Sequence, residues 1–122
     1  MTRLLLSVLQ LALATAMASA QNEMSQELLV LTPDERNAAF TRLLHTSSEK
    51  CDKVIRTLYK GSALGLDEWE TLCKDRNSYS ISITPGLIAG LETVSCRQLL
   101  ATSQMLLRRA GSKSKATGCR IK

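Results

Sequence analysis

Three observations predict an α+β fold for this 122-residue chain. A helix with a clear start signal opens at Thr32, four stretches of strand-like residues follow up to Cys96, and a second helix runs on from Arg97. Short connections favour antiparallel neighbours, so the strands should form a four-stranded meander with both helices gathered against it. Four cysteines, Cys51, Cys73, Cys96 and Cys119, are expected to staple the domain.

Before that domain, Met1 to Ala20 reads as a secretory signal peptide. Arg3 gives a short positive start, Leu4 to Ala16 is apolar, and Ala18-Ser19-Ala20 offers the small residues a signal peptidase accepts. Spanning a bilayer takes about 20 predominantly apolar residues, and this run is shorter. No later segment is apolar enough to span, so no transmembrane segment is expected after cleavage. The expected organisation is a signal over 1–20, a flexible N-terminal arm over 21–31, one α+β domain over 32–110 and a basic C-terminal tail over 111–122.

In the first helix, Thr32 can cap, Pro33 suits the first helical position, and Glu35 closes a capping box three residues on. Ala39, Phe40, Leu43 and Leu44 recur at helical spacing, and the helix should end near Thr46. The period then becomes strand-like over Val54 to Tyr59, punctuated by Gly61 to Gly65. Glu68 to Cys73 makes a second strand, and Lys74 to Ser78 is a turn by composition. Tyr79, Ile81 and Ile83 alternate with serines and should face the core. Pro85-Gly86 and Gly90 bracket the next connection, Leu91 to Cys96 makes a fourth strand, and Arg97 to Arg109 reads as a helix ended by Gly111. Only Phe40, Tyr59, Trp69 and Tyr79 are aromatic, so the core must be mostly aliphatic.

Four cysteines allow three pairings. A hairpin turning about Gly61 to Leu66 sets residues whose numbers sum to about 126 opposite one another, which brings Cys51 near Cys73. A helix folding back from the fourth strand can return Cys119 to Cys96. Such bridges close loops of just over twenty residues, each stabilising by on the order of 3 kcal/mol in the loop-entropy account. The chain has no close C-x-x-C pair of the kind zinc sites and redox dithiols use. Export therefore favours structural disulfides, with no metal and no cofactor expected.

The sequence Cys51-Asp52-Lys53-Val54-Ile55-Arg56, then Tyr59-Lys60-Gly61, Trp69-x-x-x-Cys73, Tyr79-x-Ile81-x-Ile83 and Cys96 resembles a group of small exported bacterial proteins. That group shares a C-x-x-V-x-R … W-x-x-x-C … Y-x-V-x-I … C layout. The resemblance covers roughly Thr32 to Cys96 and implies a Gram-negative periplasmic setting and no particular activity. This chain departs from it in the Asp75 to Ser78 turn, where a glycine is usual, and in a longer basic C-terminus.

Charge is unevenly placed. Gln21 to Cys96 carry 8 basic and 11 acidic residues, whereas Arg97 to Lys122 carry 7 basic and none acidic, a local net charge of +7. The cations are Arg97, Arg108, Arg109, Lys113, Lys115, Arg120 and Lys122. They can meet an acidic envelope protein or an anionic envelope surface, or merely solubilise a disordered tail. Nucleic acid is excluded by compartment and by the lack of any aromatic after Tyr79 to stack on bases.

No catalytic constellation emerges. His45 is the only histidine, and neither a nucleophile elbow nor triad spacing accompanies it. Its place at a helix end suits the negative end of the helix dipole. Glu68 and Glu70 share a strand face next to Asp67 and are expected to be a solvated face, with Trp69 pointing the other way into the core. The expected role is thus a non-enzymatic envelope interaction protein. A small periplasmic redox accessory or enzyme using His45 and nearby carboxylates is the alternative.

Overall fold

A computed structural model of the protein describes residues 23–63, 65–85 and 90–122. The expected signal, the first two residues of the arm and residues 86–89 of the third connection lie outside the described residues. The fold is α+β: helices α1 (Glu23–Val30) and α2 (Pro33–Thr46), strands β1 (Val54–Ala63), β2 (Leu66–Cys73), β3 (Ser78–Thr84) and β4 (Gly90–Ser95), then helix α3 (Cys96–Arg109). The strands form one antiparallel sheet in the order β1-β2-β3-β4.

Helix α2 begins as its sequence demands. The Thr32 hydroxyl accepts from the Glu35 N–H while the Glu35 carboxylate accepts from the Thr32 N–H, both at 3.3 Å. The helix places Phe40 and Leu44, neither with any exposed surface, against the inner face of the sheet. There Phe40 and Tyr59 flank Trp69 at ring-centroid distances of 5.2 and 4.8 Å. Ile81 lies opposite Trp69, and Tyr79 and Ile83 follow the same alternation into the core. The Thr41 hydroxyl accepts from the Val54 N–H at 2.9 Å and fixes where β1 leaves the helix layer.

The expected flexible N-terminal arm is instead helix α1. Leu28 joins the core, and Ser25 is buried with its hydroxyl accepting from the Trp69 indole N–H at 3.2 Å. Arg36 satisfies carbonyls that a helix end leaves without partners: Nε donates to Leu28 O at 2.8 Å, and Nη2 donates to Leu29 O and Leu31 O. Its guanidinium also lies 5.8 Å from the Trp69 ring centroid. An apolar run without period became helical because the indole, 44 residues away, and Arg36 in the next helix supply its partners.

The first three strands are longer than their composition suggested. β1 continues past Tyr59 to Ala63 because the register shifts twice, between Val54 and Arg56 and between Tyr59 and Gly61. Gly61, at φ +104°, allows the second shift, and Gly65, at φ +76°, lies in a tighter turn than the one expected. The first bridge nevertheless forms as the register argument required: Cys51–Cys73 closes the open end of the β1–β2 hairpin. Cys96 is the first residue of α3 rather than the last of β4, because Ser95 caps the helix by accepting from the Gln98 N–H at 3.1 Å. The second bridge is Cys96–Cys119.

Two further expectations are corrected on the outer face of the sheet. Glu70 is not solvated but fully buried, and the C-terminal tail does not end free but is docked above it.

Candidate functional site

The docked tail starts at the end of α3. Helix and tail connect through a bond from the Ser112 N–H to Leu107 O at 3.0 Å. The chain then doubles back along its own helix. At Gly118 an added Cβ would lie 3.2 Å from the Leu100 Cβ and 3.5 Å from the Cys96 carbonyl oxygen, so a side chain here would require Leu100 to shift by a few tenths of an ångström. Cys119 is bonded to Cys96, and the next residue reaches the sheet.

There the Arg120 N–H is shared by both carboxylate oxygens of Glu70, at 2.9 and 3.0 Å. Ile121 is buried, and Arg56 Nη1 donates to the Lys122 backbone oxygen at 2.8 Å. Pairing sets Glu70 opposite Leu58 and Leu72 opposite Arg56, so all four share the outer face. The tail thus crosses from the helix over β2 to the edge strand. Burying a carboxylate is costly unless it is hydrogen-bonded, and a backbone N–H supplied by the tail meets that need. The signal that could have shown this was Ile121, a lone branched apolar residue after the last cysteine.

Docking leaves the cations outward. Arg97, Arg108, Arg109, Lys113, Lys115, Arg120 and Lys122 are all exposed. Arg108 and Arg109 occupy the last turn of α3, where they complement its negative end. The helix itself has no buried residue: Leu106 is 57% exposed and Leu100 37%. Basic side chains and uncovered leucines therefore lie on one element.

The carboxylates considered as an acid–base pair are kept apart. Glu70 is sealed under the tail. Glu68 forms an ion pair with Lys60 at 3.7 Å. Asp67 is buried on the opposite, inner face and accepts from the Ser62 hydroxyl. His45 ends α2 as expected, with Nε2 donating to the Cys51 carbonyl oxygen at 2.6 Å, so that nitrogen carries the proton. Both disulfides together take up every cysteine. Among the described residues, no group of three or more His, Cys, Asp or Glu is placed to hold a metal ion, and no helix is long and apolar enough to cross a membrane.

Beside the first bridge, Asp52 and Asp75 exchange bonds, each carboxylate accepting from the other's N–H at 3.1–3.2 Å. Desolvation opposes ionisation of Asp75. The N–H groups of Asn77 and Asp52, with Lys50 nearby, outweigh it and hold the carboxyl below its usual value. Burial, with Glu49 and Asp75 near, raises the Tyr79 phenol, which donates to Lys50 O. A cleft of about 670 Å³ lies between α2 and the start of β1. Asp34, Asn37, Thr41, Arg42 and Lys53 line it, and its lining contains neither histidine nor cysteine.

Comparison with protein-family models, with curated proteins and with solved structures finds no match for this chain.

Proposed function

We propose that this chain is an exported, disulfide-stapled interaction protein of the cell envelope, without enzymatic activity, that binds through its basic C-terminal region. One observation carries the reading: all seven cations between Arg97 and Lys122 are exposed, and no acidic residue interrupts them. A field of one sign on one part of a small domain attracts anionic partners and speeds encounter. The two bridges support the exported setting, since such bonds persist in oxidising compartments. They also occupy the thiols that a redox accessory would use. The likeness of Cys51 to Cys96 to small periplasmic proteins supports a Gram-negative envelope as that setting.

The test is cross-linking of the tagged protein in intact cells, with mass-spectrometric identification of its neighbours. A series replacing Lys113, Lys115, Arg120 and Lys122 by Gln accompanies it. The expected result is a processed, oxidised protein beginning at Gln21 whose envelope cross-links fade across the series. Envelope association unchanged by the series would reject the basic region as the binding element. Unprocessed protein in the cytosol with reduced thiols would reject the reading as a whole.

A further inference from the structure

The two disulfides sit in unlike surroundings. Cys51 is 6% exposed, Cys73 has no exposed surface, and both belong to the inner core cluster. Cys96 and Cys119 are each part-exposed. Cys96 is the first residue of α3, with Ser95 as its cap, so it stands at the positive end of the helix dipole. Arg97 follows it, Arg120 follows Cys119, and both arginines are exposed. A carboxylate meets the other cysteine instead: Glu70 accepts from the N–H directly after Cys119. A thiolate is favoured beside cations and at a helix start and disfavoured beside a carboxylate. The two sulfurs are therefore unequal, and Cys96 is the better leaving group.

We infer that Cys96–Cys119 is a thiol-exchange site for a dithiol reductant, attacked at the Cys119 sulfur, and that its opening lifts the tail from Glu70. One thiolate of the dithiol attacks Cys119 Sγ. The new S–S bond forms as the bond to Cys96 breaks, and Cys96 departs as a thiolate. The second thiol, deprotonated, then attacks the dithiol's own sulfur in the mixed disulfide and frees Cys119 as a thiolate. The dithiol ends as a disulfide, its two electrons have passed to the bridge, and the protons it gave up reach the two cysteines through water. The chain is the substrate of this exchange, so the inference stands apart from the binding role proposed above.

What the bridge controls lies on the outer face of the sheet. Beyond Cys119 the tail is held by the Arg120 N–H on Glu70, by the buried Ile121 and by Arg56 on the Lys122 backbone oxygen. Residues 111–115 before it are exposed. Opening the bridge leaves those few contacts to hold a segment that has regained its chain freedom, and elements held so lightly open first. Once they part, a sealed carboxylate faces water, and Lys113, Lys115, Arg120 and Lys122 leave with the tail.

The test treats the oxidised protein under native conditions with dithiothreitol, with iodoacetamide trapping and peptide mass mapping at timed intervals. A parallel series uses 2-mercaptoethanol, which has no second thiol, and maps the mixed disulfide after acid quenching. Cys96 and Cys119 should be alkylated at least about a hundredfold faster than Cys51 and Cys73, since a sealed bridge reacts only in the fraction of molecules, about 10⁻³ or smaller, that is unfolded. The 2-mercaptoethanol adduct should sit on Cys119. Arg97→Glu should slow opening several-fold by replacing a cation beside the leaving sulfur, and an acid in the first helical turn is well tolerated. In the opened protein the Arg120 amide should exchange faster, while β2, β3 and the near-ultraviolet tryptophan signal keep their native behaviour.

Opening of Cys51–Cys73 first, or of both bridges at one rate, overturns the inference. So does an adduct carried mainly by Cys96, an opening rate indifferent to Arg97→Glu, or an Arg120 amide that stays protected after the bridge has opened. Envelope binding is read separately by the Lys and Arg to Gln series, so either conclusion can fall while the other stands.

Discussion

Helices α2 and α3 are the same length, 14 residues, each capped by a side-chain oxygen and each carrying an apolar stripe, yet one is built into a core and the other lies outside it. Around α2, burial does the holding: Phe40, Leu44, Val54, Trp69 and Ile81 are all sealed, and Arg36 joins α1, α2 and the indole. Around α3, a disulfide, a carboxylate and one buried isoleucine hold a segment whose own helix buries no residue. The difference shows how a chain with four aromatic rings divides its apolar residues. The inner face takes the rings and closes. The C-terminal segment is secured by bonds that need little buried area, which leaves leucines and cations at the surface.

Substitutions in the two regions should therefore fail differently. Phe40→Ala removes a fully buried ring against Trp69 and should cost about 3–5 kcal/mol in denaturant unfolding, with loss of the whole near-ultraviolet tryptophan signal. A cost below about 1 kcal/mol would mean the inner face is not the core that holds the sheet. Replacing Cys96 and Cys119 by Ser should cost up to about 3 kcal/mol in the loop-entropy account. Its signature should be local, with amide exchange rising across residues 111–122 while the tryptophan signal persists. Equal loss of protection in β2 and β3 would join the two regions into one unit.

Glu70→Gln keeps the shape but weakens a bond made by a charged acceptor, and should cost about 1–2 kcal/mol. The amides of Arg120 and Lys122 should exchange faster than those of β3. Unchanged exchange there would show that the Glu70 bond does not seat the tail. The smallest effect is expected in the turn after β2, where Arg76 sits at φ +76° in the left-handed region. Arg76→Gly should raise stability by about 0.5–1 kcal/mol, read as a higher denaturant midpoint at unchanged slope, because glycine takes this conformation without the Cβ clash. A lower midpoint would mean that Arg76 makes a compensating contact.

That turn also shows how local sequence is read. The backbone here places Arg76 in the left-handed region that glycine adopts without strain, and composition alone marked the stretch only as a turn. The capping box at Thr32 and Glu35, the alternation of Tyr79, Ile81 and Ile83, and the Cys51–Cys73 pairing were legible because each depends on near neighbours or on the register of one hairpin, and that pairing leaves Cys96 only Cys119 as a partner. Helix α1 was not, since its partners Trp69 and Arg36 lie outside its own run of residues. Glu70 was misjudged for the same reason: nothing within β2 shows that a backbone N–H fifty residues away covers it.

The sequence alone determined the order of α2, the four strands and α3, the presence of four cysteines to staple them and the concentration of positive charge after Cys96, because spacing, capping and composition act over a few residues or simply add. Only the tertiary structure decided that the tail is seated, that one carboxylate is sealed and that Leu100 and Leu106 of α3 are left exposed. Burial depends on which distant segment arrives over a side chain, and that is settled when the whole sheet and both bridges are in place.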